Sequence, residues 1–133
     1  MLINYPIMEA NNMKDRAIAL ARASDGKQVI QGDTIDDQLL KCRRYIEKNG
    51  WELYKAFPLV ESGRKGEREY FQEVLRFCEN PVNKIKYVVF INISRFTRQG
   101  DAQYFNLKER LKVSGVKIRD ILGTIGEDVN TMG

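Results

Sequence analysis

The sequence predicts an α/β protein with three layers (α/β/α), in which helices cover both faces of a mostly parallel sheet of four to five strands. Short apolar runs alternate along the chain with longer segments whose apolar residues recur at helical spacing. Because each connection between successive strands contains a whole helix, we expect parallel strands with right-handed crossovers. The 133 residues suffice for one domain that buries a core without disulfides or metal.

Strands are predicted where short apolar runs end at turn residues. The clearest is the run from Tyr87 to Ile93, whose nearly continuous apolar character is typical of a central strand covered on both faces. Pro58 is expected to end the second strand. The predicted strands are residues 16–21, 51–57, 87–93 and 116–122.

Three helices are predicted between these strands, over residues 34–49, 68–78 and 101–114. Thr34 is typical of an N-cap, and Gly50 is expected just past the end of the first helix. The residues expected on the buried sides are Ile35, Leu39, Cys42 and Ile46 in the first helix, Phe71, Val74, Leu75 and Cys78 in the second, and Tyr104, Leu107 and Leu111 in the third.

The composition excludes several classes of enzyme. The chain has no histidine, which excludes a Ser-His-Asp triad, a histidine base and the common zinc hydrolase sites. Cys42 and Cys78 fall among apolar helical residues and are expected to fill the core. No segment approaches the twenty apolar residues that span a bilayer, and the N-terminus lacks the basic start of a signal peptide. We therefore expect a cytoplasmic protein without membrane partners.

The net charge of +4 is by itself weak evidence of a nucleic-acid partner, and the placement of the basic residues is more informative. One group lies on the first helix and is expected to form a solvated face, whereas the other lies at predicted loop ends. The helical group is Lys41, Arg43, Arg44 and Lys48, and the loop group is Arg64, Lys65, Arg68, Arg95 and Arg98.

Two clusters follow predicted strands at the point where each strand ends. Arg22 and Ser24 follow the first strand, and Arg95 and Arg98 follow the third. The carboxyl ends of the strands in an open α/β sheet are where ligands bind. A guanidinium beside a serine can hold a phosphate with two hydrogen bonds and favour the alkoxide. The clusters therefore indicate chemistry on a phosphate, although a serine after a strand is more often a cap or turn residue.

A third loop, rich in glycine and charge, carries Ser62 and Gly63 and is followed by Arg68. It is similar to a phosphate cradle, but the P-loop pattern is absent and an exposed loop of mixed charge is the plain alternative. Each of the three motifs is weak when it stands alone.

Taken together and in order, the motifs resemble the catalytic domain of the serine recombinases, the resolvase/invertase family. The resemblance runs from about Arg16 to Gly126, with the expected strands and helices between the motifs. Its elements are Arg22-x-Ser24, Gln38 in the next helix, Ser62-Gly63 followed by Arg68-Glu69, and Arg95-x-x-Arg98.

The resemblance implies a domain arrangement and partners. Residues 15–126 would form the catalytic domain, residues 1–14 an N-terminal extension, and residues 127–133 the start of a truncated C-terminal helix or linker. The family fold has five strands, one of them antiparallel. The expected partner is double-stranded DNA, bound by homodimers that assemble into a homotetramer during strand exchange.

The resemblance also implies a mechanism. Ser24 would attack a DNA phosphodiester and give a 5′-phosphoserine intermediate with a free 3′-hydroxyl. No metal and no nucleotide cofactor is implied. Four arginines would surround the scissile phosphate, while Gln38 and Ser62 would support the site and, with Ser94, bind the substrate. The four arginines are Arg22, Arg68, Arg95 and Arg98.

Two positions depart from the family pattern. The family usually has aspartate where Ser94 stands, and again three residues before the Ser-Gly pair, where this chain has Leu59. We expect these changes to affect proton transfer more than charge stabilisation, and so to reduce or retune activity rather than abolish it. The alternatives are a non-catalytic module that binds phosphate or the DNA backbone and, more weakly, a flavodoxin-like or receiver-like domain. A receiver would need an acidic cluster at a strand end.

Overall fold

Four parallel strands form one sheet in the order β2-β1-β3-β4, which confirms the predicted α/β class. The computed structural model describes residues 14–23, 34–60, 66–91 and 101–122. The elements are β1 Arg16–Ala23, α1 Ile35–Lys48, β2 Glu52–Val60, α2 Glu67–Glu79, β3 Ile85–Phe90, α3 Asp101–Val113 and β4 Lys117–Asp120. Within the described ranges there is no antiparallel fifth strand.

The helices cover both faces of the sheet, as the sequence predicts. Helix α1 packs on one face, and α2 and α3 pack on the other. Strand β1 alternates small and large side chains between these faces: Ala17 and Ala19 lie toward α1, whereas Ile18 and Leu20 lie toward α2 and α3. All four side chains are buried. The sheet therefore has two unequal cores, and the larger one lies under α2 and α3.

The alanines of β1 make room for an aromatic pair on the α1 face. Ala17 is paired with Leu53 on one side and with Tyr87 on the other. Trp51, just before β2, stacks on Tyr87 with ring centroids 3.6 Å apart and planes 9° from parallel. A larger side chain at position 17 would stand in the path of this contact, so the small residues are part of the packing.

Helix α1 begins and ends as its sequence predicts. The Thr34 hydroxyl accepts a hydrogen bond from the Asp37 backbone N–H at 3.0 Å, and the Asp37 carboxylate accepts one from the Thr34 N–H at 3.4 Å, which closes a capping box. At the other end Gly50 has a φ of 79°, a conformation that a residue without Cβ adopts at little cost.

The helices bury most of the residues predicted to face the core. Cys42, Ile46, Leu107 and Leu111 are buried, and so are all four residues predicted for the second helix. The four basic residues of α1 are exposed, which confirms a solvated face.

The prediction that Pro58 ends the second strand is wrong. Strand β2 continues through Pro58 to Val60 and pairs with β1 along this length. Because β2 is at the edge of the sheet, it needs hydrogen bonds on one side only, and a proline without an N–H is tolerated there. Strand β1 likewise extends two residues beyond its predicted end, through Arg22 and Ala23.

No helix among the described residues is both long enough and apolar enough to cross a membrane.

Enlarging the alanine layer of β1 is expected to destabilise the domain. Ala19 is fully buried against α1, so Ala19→Leu should lower the free energy of unfolding by about 1–3 kcal/mol, measured by urea denaturation. Val82→Leu, at a side chain that is 75% exposed, is the control and should change stability by less than about 0.5 kcal/mol. An Ala19→Leu variant with the wild-type midpoint would contradict the packing described for β1.

Candidate active site

Arg22 lies near the carboxyl end of β1, on the face that α2 and α3 cover. It is paired with Leu59 of β2, and Leu59 belongs to the core under those helices. The alternation that directs Ile18 and Leu20 to this face therefore extends to Arg22, whose side chain is half-buried. The Arg22 side chain thus leaves a strand that is paired at this position, and the pairing determines the face of the sheet toward which it points.

Gln38 binds the main chain of Arg22 with both ends of its carboxamide. The Arg22 N–H donates to Gln38 Oε1 at 3.1 Å, and Gln38 Nε2 donates to the Arg22 carbonyl oxygen at 2.9 Å. Gln38 is 2% exposed and lies in the first turns of α1. The structure therefore brings Gln38 and Arg22 together, two residues that stand sixteen positions apart in the sequence.

Arg68 is the second residue of α2, and its backbone lies at the carboxyl ends of the strands, as Arg22 does. Helix α2 follows the parallel strand β2, so its N-terminus lies near the carboxyl ends of the strands. The N-cap is Gly66, which makes no side-chain cap. The partial positive charge of a helix N-terminus favours an anion at this end of the strands.

Five of the predicted site residues lie outside the described residues: Ser24, Ser62, Ser94, Arg95 and Arg98. Their roles, and the contact of Arg68 with a substrate, remain predictions. The described residues that flank them are the carboxyl ends of β1, β2 and β3 and the N-termini of the helices that follow. In a parallel sheet all of these ends lie on the same side, and this is where the sequence motifs predict a ligand site.

Leu59 occupies one of the two positions where the family usually has an aspartate. Its side chain is 2% exposed and belongs to the apolar core under α2 and α3. A carboxylate at this position would need a cation or hydrogen bonds to offset its burial. The chain has an apolar contact here instead, opposite Arg22 in the sheet.

Tyr70 is a buried residue near this edge that the sequence analysis missed. Its hydroxyl donates a hydrogen bond to the Phe57 carbonyl oxygen, and its side chain is 2% exposed. Burial raises the pKa of Tyr70 well above its ordinary value, and the backbone of Ala21 partly offsets this rise. Tyr70 stands four residues before Val74, so helical spacing alone could have identified it as a core position.

Asp120 is a second residue that the sequence analysis missed. Among the described residues, Gln38 and Asp120 are the buried polar or charged side chains. Asp120 ends β4, is 7% exposed, and is paired with Phe90 of β3. Because Ile118 faces the core under α2 and α3, alternation places Asp120 on the face that also holds Arg22. Nothing in the pattern of the fourth strand indicated a buried carboxylate.

The two cysteines are not nucleophile candidates. Both are buried, and burial raises the pKa of each thiol from 9.0 to about 12. The thiolate is the reactive form, so neither side chain is reactive near neutral pH. Cys42 instead makes a weak contact from Sγ to the Val89 carbonyl oxygen at 3.7 Å. This confirms that both residues fill the core.

The fold and the site define a class of protein: a three-layer α/β domain with an arginine, Arg22, near the carboxyl end of a central strand of a parallel sheet. The family model "Resolvase, N terminal domain" matches residues 17–132. The chain therefore belongs to this family. It is a serine site-specific recombinase catalytic domain. No curated protein matches the chain by sequence.

Several solved structures share the fold. The N-terminal catalytic domain of TP901-1 integrase has a TM-score of 0.70 at 16% identity, with 89% of this chain and 90% of that chain covered. A resolvase family site-specific recombinase from Streptococcus pneumoniae has a TM-score of 0.67 at 16% identity, with 90% and 85% covered. The C-terminal catalytic domain of ISC1926 TnpA, an IS607-like serine recombinase, has a TM-score of 0.65 at 22% identity, with 87% and 74% covered.

The raised thiol pKa values predict slow cysteine labelling. At pH 8 a thiol with a pKa of about 12 holds far less thiolate than an ordinary one, and only part of this deficit is offset by its greater nucleophilicity, so Cys42 and Cys78 should react with a disulfide reagent at least about tenfold more slowly than an ordinary thiol. Protein unfolded in guanidinium is the control, and both thiols should react promptly there. Labelling of the folded protein at the unfolded rate would contradict their burial.

Proposed function

We propose that this domain cleaves and rejoins double-stranded DNA, with Ser24 as the nucleophile. Ser24 Oγ forms a bond to the phosphorus of a phosphodiester, and the bond from phosphorus to the 3′ oxygen breaks. The serine hydroxyl loses its proton and the departing 3′ oxygen gains one, so no net proton is consumed. Strand joining is the reverse attack of a 3′-hydroxyl on the phosphoserine ester, and this conserves the energy of the original bond.

One observation carries the proposal. Arg22 is held near the carboxyl end of β1, on the face of the sheet that α2 and α3 cover, and α2 begins at this end of the strands. Strand β1 and Gln38 together fix the main chain of Arg22. Arg68 starts from the first turn of α2 at the same edge. Two guanidiniums that approach from a strand and a helix can contact different oxygens of one phosphate.

The arginines would act by electrostatic stabilisation. Transfer of a phosphoryl group depends mainly on positioning and on neutralising the charge that develops on the equatorial oxygens. Arg95 and Arg98 would complete the set with Arg22 and Arg68, and Ser62 and Ser94 would bind the phosphate or its neighbours. Leucine at position 59 supplies no carboxylate, so the cluster of arginines keeps more of its positive charge than it would beside an aspartate. Leu59 is part of the buried core.

The proposed partners are DNA and further copies of the same protein. A modest positive charge favours contact with the DNA backbone but gives no sequence choice. Family membership supports pairs of subunits on each site that assemble into tetramers during exchange. The buried Leu59 favours one alternative, a module that binds the DNA backbone without cleaving it.

A covalent adduct on Ser24 is the expected signature of this function. The protein as its gene encodes it is incubated with sheared genomic DNA of its own organism, denatured with SDS and digested with nuclease. Mass spectrometry of the peptide that contains Ser24 should then show a nucleotide attached through phosphate. Sequencing the DNA that copurifies with the undigested adduct identifies the site.

Ser24→Ala should abolish the adduct, and Ser114→Ala should not. Ser114 is an exposed serine after α3, just before β4 begins, and so lies at the amino ends of the strands, whereas Arg22 lies near their carboxyl ends. Absence of an adduct from wild-type protein that still binds the DNA would reject catalysis and favour the non-catalytic module.

Substituting the arginines is expected to slow adduct formation. Lysine keeps the charge but loses the fork that binds two phosphate oxygens, so each of Arg22→Lys, Arg68→Lys, Arg95→Lys and Arg98→Lys should reduce the rate by about 10²–10³-fold. Arg44→Lys, on the exposed face of α1, is the control and should react at the wild-type rate. A wild-type rate in any of the four variants would remove that arginine from the site.

A further inference from the structure

Gln38 stands where a neighbouring strand would otherwise pair with β1. The pairing of β1 with β2 continues to Ala23, but its pairing with β3 ends at Ala19. Within the described ranges, strand β1 beyond Ala19 therefore has a strand neighbour on one side only. At Arg22 the Gln38 carboxamide bonds both polar groups of the main chain: the N–H donates to it at 3.1 Å, and the carbonyl oxygen accepts from it at 2.9 Å.

The chemistry of this contact requires a carboxamide at the end of a side chain of this length. The contact needs an acceptor for the Arg22 N–H and a donor for the Arg22 carbonyl, side by side in one plane. A carboxamide supplies both, an ionised carboxylate supplies only acceptors, and a thioether supplies neither strongly. The same side chain is 2% exposed, so these bonds are shielded from competing water.

Rigid elements hold both partners. The capping box at Thr34 and Asp37 fixes the first turn of α1 immediately before Gln38. Four residues further on, Cys42 is buried against the sheet. The carboxamide therefore connects the start of a fixed helix to the last residues of a fixed strand, two positions before Ser24.

From these contacts we infer that Gln38 is a positioning residue: it orients the backbone from which Arg22 and Ser24 extend, and it does not bind DNA itself. The inference rests on the proposed function and deepens it. A group that binds DNA must be accessible to it, whereas the Gln38 side chain is 2% exposed and both of its polar atoms bond the main chain of Arg22. Loss of Gln38 should therefore reduce the rate of cleavage and leave DNA affinity unchanged.

Two substitutions of Gln38 separate positioning from space filling and from DNA binding. Gln38→Met keeps the length and removes both hydrogen bonds. Gln38→Glu keeps the shape and gains a titratable donor, because a protonated carboxyl group can accept from the Arg22 N–H and donate to its carbonyl. Burial and the facing carbonyl oxygen should raise the pKa of this carboxyl group above its ordinary value. Gln72→Met, at an exposed glutamine of α2, is the matched control.

The substrate is the DNA fragment recovered with the wild-type adduct. The rate of Ser24 adduct formation is measured from pH 8.5 to 5.5 at a saturating concentration of this DNA. The affinity for the same duplex is measured by fluorescence anisotropy. Gln38→Met should be slower than wild type by about tenfold or more at every pH, with affinity within about twofold. Gln38→Glu should match Gln38→Met at high pH and regain activity, relative to wild type, as the pH falls.

Several results would overturn the inference. They are a wild-type rate in Gln38→Met, a loss of affinity that accounts for its loss of rate, or a Gln38→Glu variant that follows Gln38→Met at every pH. The control Gln72→Met should behave as wild type.

Hydrogen exchange of the Arg22 amide tests the same contact without any reaction. This amide should be protected in wild-type protein and exchange about tenfold faster or more in Gln38→Met, while the amides of β1 before Ala19 keep their protection. If no adduct forms even in wild type, the proposed function fails, and this exchange still decides whether Gln38 holds Arg22. Unchanged exchange would refute that role.

Discussion

The parallel pairing of the four strands is the constraint on which the rest of the molecule depends. A parallel neighbour can be reached only by a connection that crosses from one end of the sheet to the other, and here each connection contains a helix. Every strand therefore ends at the same edge, and every helix begins there. This geometry gathers residues that are far apart in the sequence, such as Arg22, Gln38 and Arg68, at one edge.

The central strand β1 combines two requirements. Its alanines allow α1 to lie close to the sheet, and its larger residues fill the core under α2 and α3. The close approach of α1 allows the short Gln38 side chain to reach the main chain of Arg22. Small core residues and a buried carboxamide are thus parts of one arrangement, in which packing on one face determines the backbone that presents Arg22 on the other.

Much of the fold could be predicted from the sequence because its determinants are local. Helical spacing, the Thr34 cap and Gly50 identified α1, and apolar runs identified the strands. The extension of β2 through Pro58 could not be predicted, because it depends on β2 being at the edge of the sheet. The burial of Asp120 likewise depends on how β4 pairs with β3 and on the helices that cover this face, and periodicity does not reveal this.

The candidate site was predictable only as a set of motifs. No single motif identified it, whereas the order of Arg22, Ser24, Gln38, Arg68, Arg95 and Arg98 along the chain resembled one family. The bidentate contact of Gln38 with the Arg22 main chain was not predictable, because the relevant partner is the backbone of a residue sixteen positions away. Backbone partners leave no pattern of residue types in a sequence.

A crystal structure of the Ser24→Ala protein bound to the DNA fragment that wild-type protein modifies would test most directly whether the arginines bind the scissile phosphate. We expect one backbone phosphate at the carboxyl ends of the strands, within hydrogen-bond distance of Arg22 and Arg68 and adjacent to position 24. We also expect Gln38 to bind the main chain of Arg22 in this complex. DNA bound instead along the exposed basic face of α1, with no phosphate at the carboxyl ends of the strands, would contradict the proposed site.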